Sequence, residues 1–443
     1  MIKANSGRQC TYELLLAIQL HGFLAGLIKK AKLEETLEVV QGVDCLTSLE
    51  YEIDILKRLV EIDTESVSKE GYDKCSSIIV EEARKNSLDV EIINGEEGAK
   101  DGLSRPNVIV ALDMGSDITL LLESHFDIVP PGPGWTYNPF KLTIRGGKAY
   151  GRGSADNKSG IAAAMGALRQ LRKEELDINL KLIAGVDEEI GGRYGVDYVI
   201  TDCELKGDAA LVVDSGMERL FLGASGIIWG KITVKGKQGH AGSPFKAKNA
   251  IDETLKLLAS LERYKTLVQK KESTLHSPPD APRSNIWGRY SVTMIRGGEK
   301  ENVIPGTCEV RFDRRLLPEE PLKQAEEELM THFQRSLNDT GCTAILEITN
   351  KLPGYHTPKD LPFVQTVSES IKRTIGQTLP FAGELGGNDG SFFAKNGIPV
   401  VCYGTIRADT CYHGLNEFVY LEDLKNVRDL IIDLGKVARD KIS

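Results

Sequence analysis

From about Leu46 the chain carries two kinds of hydrophobic pattern. Ile53, Ile55, Leu56, Leu59 and Val60 recur at helical spacing, which predicts a helix over 51–62, and a second is expected over 72–86. Short apolar runs follow at 107–112, 118–122, 180–184 and 210–213. Bounded by polar or glycine-containing segments, they read as buried strands of a largely parallel sheet. The small-residue segment SGIAAAMGALRQL at 159–171 predicts a tightly packed helix whose N-terminus faces whatever Asp156 binds.

Near Gly223 the texture changes. Alternating strands are expected at 227–234, 290–295 and 307–312, with helices at 250–264 and 321–337, so this stretch reads as an inserted α+β domain. The α/β pattern resumes near Pro353, with a helix at 363–375 and an apolar strand at 398–403. The expected organisation is an N-terminal extension at 1–45, an α/β domain in two parts at 46–224 and 351–443, and the insert at 225–350. Residues 12–28 are apolar, but Glu13, Gln19 and His21 interrupt them and no small-residue cleavage site follows. They read as an amphipathic helix, and no membrane association is expected.

Composition narrows the classes. With 443 residues the chain exceeds one core, and 41% hydrophobic with 27% charged residues is ordinary for a globular protein. A formal net charge of -9 and no Lys/Arg-rich block argue against a nucleic-acid partner. Eight cysteines without a C-x-x-C pair fit reduced thiols and a cytoplasmic location.

The chemistry concentrates at predicted strand ends. His125 and Asp127 follow the run ITLLLES and project to the same side, so one can bind a metal while the other orients it. Asp156, in GRGSADNKSG, reads by itself as a helix N-cap. Glu188 and Glu189, in DEEIGG, end the strand LKLIAGV; Asp214 ends ALVV; His413 lies in CYHGLNE. Each alone is compatible with a satisfied loop residue. Together, His125, Asp156, Glu189, Asp214 and His413 make five ligands from five strand ends, with Glu188 spare beside them. Such a thiolate-free set suits two divalent ions, zinc first, with cobalt or manganese as alternatives. One carboxylate would bridge the ions and the spare one would activate water. Zincin, phosphate-loop, nucleophile-elbow and dinucleotide motifs are absent.

In the motifs ESHFDIVPPGPGW, YGRGSADNKSG, DEEIGG, VVDSG, KGKQGHAGSP, ENVIP, DRRLLP, GGNDGSFF and YHGLNE the chain resembles, from Leu46 onward, the dizinc amidohydrolase and exopeptidase family of acetylornithine deacetylase, succinyl-diaminopimelate desuccinylase and glutamate carboxypeptidase. The resemblance implies a zinc-peptidase-like catalytic domain with a mostly parallel sheet, interrupted by an inserted lid that also forms a homodimer interface. It implies that Asp156 bridges the ions, with His125 and Asp214 on one and Glu189 and His413 on the other. Glu188 is then the general base and Asp127 orients His125. His240 matches the lid histidine that reaches a neighbouring site and supports the oxyanion, while Asn302 and Arg315 match groups that hold the substrate and its carboxylate. Read without the family, His240 is a strand-turn residue and Arg315 a surface ion pair. The chain departs from the family pattern in residues 1–45, in Asp214 where many deacylases carry Glu, and in Asn388-Asp389 where Thr-Asp or Ser-Asp is commoner.

The expected activity is metal-dependent hydrolysis of an N-acyl amino acid, of the acetylornithine or succinyl-diaminopimelate type. A carboxypeptidase or dipeptidase acting on short peptides is the alternative. A noncatalytic amino-acid-binding relative would lack Glu188 or a ligand, and all are present. A thiol enzyme using Cys411 beside His413 has no other indicated base for the thiol.

Overall fold

The structure is a computed structural model that describes residues 49–279 and 281–442. The helix expected at 12–28, together with Cys10 and Cys45, lies outside the described residues.

The first helices are α1 (Glu50–Val60) and α2 (Tyr72–Lys85), each burying the face that its apolar spacing predicts. Strands β1 (Asp89–Asn94), β2 (Pro106–Leu112) and β3 (Thr119–His125) follow, then the short β4 (Thr143–Arg145) and β5 (Lys148–Tyr150). Next come α3 (Lys158–Leu171), β6 (Asn179–Gly185), β7 (Ala209–Val212) and β8 (Leu220–Ala224). The small side chains of α3 are buried along nearly its whole length, which lets the helix lie close against the sheet.

The chain then leaves this layer. β9 (Ile227–Lys235), α4 (Ala250–Val268), β10 (Arg289–Gly297), β11 (Thr307–Arg315), α5 (Leu322–Thr340) and β12 (Thr343–Leu352) build a second unit. It is an antiparallel sheet in the order β10-β11-β9-β12, and its own core packs Ile232, Leu257, Leu261, Phe312, Leu329 and Phe333. The chain returns through β13 (Tyr355–His356), α6 (Pro362–Ile375), β14 (Phe381–Glu384), α7 (Gly390–Lys395), β15 (Val400–Cys402), β16 (Phe418–Tyr420) and α8 (Leu421–Gly435).

The returning strands rejoin the first layer as a nine-stranded sheet in the order β1-β2-β6-β3-β7-β15-β8-β13, with β14 on β8. Its centre, β6-β3-β7-β15, is parallel, while the margins include antiparallel pairs. This is a mixed α/β fold whose central sheet carries an inserted α+β lid. The lid joins the core at two points that touch. A Cβ on Gly226 would stand 2.5 Å from the backbone nitrogen of Gly354. Among the described residues no helix is long and apolar enough to cross a membrane. The described cysteines, Cys75, Cys203, Cys308, Cys342, Cys402 and Cys411, are free thiols.

Candidate metal centre

The parallel centre of the sheet delivers His125, the last residue of β3, and, just past β6 and β7, Glu188, Glu189 and Asp214. The C-terminal ends of parallel strands are where open sheets place ligands. Asp156 and His413 come instead from loops, the first between β5 and α3 and the second between β15 and β16. The expectation of five strand ends is corrected accordingly. Nor is Asp156 a helix cap: Asn157 occupies that position, without a side-chain capping bond.

The Asp156 carboxylate is turned toward two imidazoles. Its Oδ1 lies 3.1 Å from His125 Nε2 and its Oδ2 3.1 Å from His413 Nε2. Asp214 Oδ2 stands 3.6 Å from His125 Nε2, and Glu189 Oε2 3.0 Å from His413 Nε2. Two triads result, His125 with Glu188 and Asp214, and Asp156 with Glu189 and His413; in each, one donor atom per residue lies within 4.8 Å of the others. Glu188 belongs to the first triad, and its carboxylate has no hydrogen-bond partner among the described residues.

Asp127 supports both triads. One carboxylate oxygen is 3.3 Å from His125 Nδ1, and the two accept the backbone N–H groups of Glu188 and Glu189 at 3.2 and 3.1 Å. Asp187, the first acid of the DEE run, turns away. In a left-handed conformation with φ 63°, it is tied to Lys69 Nζ at 2.6 Å, Tyr72 Oη at 2.9 Å and Arg105 Nε at 2.7 Å. The turn bearing Glu188 and Glu189 is thus pinned from both sides.

Burial pushes the Glu188 and Asp214 carboxyls above their usual range, and Glu189 up to about 7. Asp389 is also buried and pushed up to about 8, with Oδ2 unpartnered. Burial acts the same way on Asp156, but the hydrogen bonds to His125 and His413 outweigh it and hold its carboxyl low. Asp156 and Glu189 raise His413 to about 10. Two imidazoles face Asp127, Asp156, Glu188, Glu189 and Asp214, an excess of buried negative charge that divalent cations would neutralise. The all-oxygen-and-imidazole donor set fits such ions.

Glu417, buried in the YHGLNE motif, supports the site through hydrogen bonds and is a residue that the sequence did not single out. Its Oε1 accepts the N–H groups of Ala155 and Asp156 at 2.9 and 3.1 Å, and its Oε2 accepts from Arg152 Nη1 at 2.5 Å and Gly153 N at 3.1 Å. Arg152 also donates to the Gly414 carbonyl at 2.9 Å. The Asp156 and His413 loops are therefore tied together. The signal was the adjacency of Glu417 to His413 in sequence.

The lid residues lie apart. His240 and Asn302, both exposed, neighbour one another at a short strand pair, where His240 pairs with Val303 and the Asn302 carbonyl accepts from Ala241 N at 3.0 Å. Neither bonds a member of the triads among the described residues. Arg315 donates through Nε to both oxygens of Asp313 at 2.9 and 3.1 Å.

Histidines and carboxylates gathered in two adjoining triads at the end of a mixed sheet define a metal-dependent hydrolase. The chain belongs to peptidase family M20/M25/M40, whose description matches residues 121–434. An uncharacterised metallohydrolase of Methanocaldococcus jannaschii is 30% identical over 363 residues, covering 76% of this chain and 85% of its own. A succinyl-diaminopimelate desuccinylase of a Sulfurovum species is 28% identical over 387 residues, covering 85% and 96%. Among solved structures, an M20 family metallo-carboxypeptidase from Sulfolobus solfataricus shares the fold, with a TM-score of 0.72 at 19% identity over 88% of this chain and 99% of that one.

Proposed function

We propose that this enzyme hydrolyses the amide bond of an N-acyl amino acid, as the name of its desuccinylase relatives suggests, with the help of two divalent ions. Zinc is the first choice of metal, with cobalt or manganese as alternatives. The observation that carries the reading is the Asp156 carboxylate, which presents one oxygen to each imidazole. His125 and Asp214 would hold one ion, Glu189 and His413 the other, and Asp156 both. Ions so held polarise a carbonyl oxygen and acidify water.

The remaining work falls to the chain. Glu188, whose carboxylate has no hydrogen-bond partner among the described residues, takes the proton of the attacking water and returns it to the departing amine. Asp127 fixes the His125 ring and the backbone of Glu188. Arg315 and Asn302 hold the substrate and its carboxylate. His240, on the lid, supports the oxyanion, reaching a neighbouring site in a homodimer. The domain limits 46–224, 225–350 and 351–443 and a cytoplasmic location belong to the same reading. A carboxypeptidase or dipeptidase would use the same centre.

The test is to strip the protein with a chelator and assay N-acetyl amino acids, N-succinyl amino acids and dipeptides before and after zinc or cobalt is restored. Metal-restored cleavage of an N-acyl amino acid is expected. Preference for dipeptides would move the assignment to the peptidase branch, and no turnover on any of the three would contradict the reading.

A further inference from the structure

The lid sheet carries two arginines at directly opposite positions. Arg289, at the start of β10, and Arg315, at the end of β11, are directly paired residues of antiparallel strands. The next pair, Tyr290 and Arg314, turns to the helical side, where Tyr290 packs on Tyr264 and Phe312 and Arg314 bonds Tyr264 and Glu320. Strand alternation then puts Arg289 and Arg315 together on the open face. Like charges directly opposite on a sheet repel.

Only one of the two is bonded to a carboxylate. Asp313 takes the Nε of Arg315, and Asp313 also accepts from Trp229 Nε1 at 2.7 Å. Arg289 has no carboxylate bonded to it among the described residues. Its Nη2 donates to Ser225 Oγ at 2.7 Å and to the Leu385 carbonyl at 2.8 Å, and its buried Nε has no partner among the described residues. Burial, then Arg315, brings its pKa down to about 10, so it keeps its charge at neutral pH. The Trp287 ring, 5.3 Å from the guanidinium carbon, offsets part of this charge, and a guanidinium with no bonded carboxylate in a largely desolvated position is still costly.

Its two acceptors locate it at the junction of lid and core. Ser225 lies between β8 and β9, and Leu385 opens the loop that runs through Gly386 and Gly387 to Asn388 and Asp389. Asn388 Nδ2 donates to Glu384 at 2.6 Å, and Glu384 accepts from Ser215, the neighbour of Asp214. A Cβ on Gly386 would meet nothing within 4 Å, so the loop borders open space. On β12 of the same sheet, the Asn350 side chain would stand 3.2 Å from a Cβ on Gly191, in the turn that carries Glu188 and Glu189.

We propose that Arg289 is a substrate-binding residue that forms, with the free edge of Arg315, a two-guanidinium seat for a substrate carboxylate. The uncompensated charge of the pair is that of Arg289, and one carboxylate neutralises it. Substrates lacking that carboxylate are discriminated against. The inference rests on the N-acyl amino acid reading for the identity of the substrate, though not for the existence of the seat.

The test is calorimetric binding of glutarate and pentanoate, which differ by one carboxylate, to metal-restored wild type, R289Q and R289K. Removing a charged hydrogen-bonding partner is expected to cost on the order of tenfold or more in affinity. Wild type is therefore expected to prefer glutarate by about tenfold or more, R289Q to bring the two within about twofold, and R289K to fall between, having the charge without the fork. An R289Q that melts like wild type and keeps the full preference overturns the proposal. Should R289Q unfold, R289K decides, and an unchanged preference there overturns it as well. A wild type that cleaves no N-acyl amino acid yet prefers glutarate refutes the proposed reaction and supports the seat. One that cleaves them without preferring glutarate does the reverse.

Discussion

Glu417 holds the main chain of Asp156: its Oε1 accepts the Asp156 N–H at 3.1 Å across 261 positions of sequence. The residue proposed to bridge the ions is thereby set by a carboxylate that bonds none of the triads' side-chain donor atoms among the described residues, the kind of outer support on which metal affinity commonly depends.

Replacing Glu417 with Gln keeps the shape but removes the charge opposite Arg152. Metal affinity is expected to fall by about 10- to 100-fold, read by competitive titration against a chelating dye. Glu417→Ala leaves the buried Arg152 unpaired and is expected to destabilise the fold by about 3–5 kcal/mol, read by denaturant unfolding. Unchanged affinity in the Gln variant would mean that the loop is set by other contacts.

Asp127 joins His125 to the turn of Glu188 and Glu189. Asp127→Asn keeps the backbone carbonyl, 3.1 Å from His125 Nδ1, but leaves one acceptor oxygen where the carboxylate serves the ring and both turn N–H groups. Turnover is expected to drop by about 10- to 100-fold, with the ring of His125 shifted in the nuclear magnetic resonance spectrum of the zinc form.

The lid offers a pH test away from the metal centre. Hydrogen bonds from Lys248 at 2.8 Å and Lys256 at 2.7 Å lower the Glu253 carboxyl from 4.5 to about 2. A depressed folded-state pKa gives stability that is complete above the unfolded value near 4.5 and is lost as pH falls toward 2. Both lysines are substantially exposed, so the contribution is discounted to about 1 kcal/mol. The unfolding free energies of wild type and Glu253→Gln should differ by that amount at pH 6 and converge below pH 4.5. A gap independent of pH would contradict the ion-pair account.

The two lid connections have no room between them. Gly226→Ala would place a Cβ 2.5 Å from Gly354 N and 2.9 Å from Leu352 O. Backbone atoms on both sides cannot rotate away, so a loss of about 1–3 kcal/mol is expected, with kcat and KM changing together because the lid is re-aimed. Wild-type melting and kinetics would show that this junction yields.

Much of this arrangement was legible in the sequence. β3, β6 and β7 were visible because strands buried on both faces read as unbroken apolar runs, and the polar residues closing them, His125, Glu188, Glu189 and Asp214, stand out against that background. β12 was not anticipated: TAILEITNKL alternates with Glu, Thr and Asn at the edge of the lid sheet, and its burial is correspondingly slight. Asp156 looked like a helix cap because sequence shows the helix start and not the imidazole from the distant His413 loop. Glu417 was overlooked for a related reason. A glutamate in a polar loop reads as solvated until its partner Arg152, 265 positions away, is seen beside it. The opposition of Arg289 and Arg315 depends on strand register, which a single sequence does not specify at that precision.

The most direct test of the central claim is to measure metal content and turnover together on Glu188→Gln. If Glu188 moves the proton, the variant binds both ions as wild type does while kcat falls by about 100- to 10,000-fold. A variant that keeps wild-type kcat, or that loses one of the two ions, would contradict the account, the first by removing Glu188 from the chemistry and the second by making it a ligand.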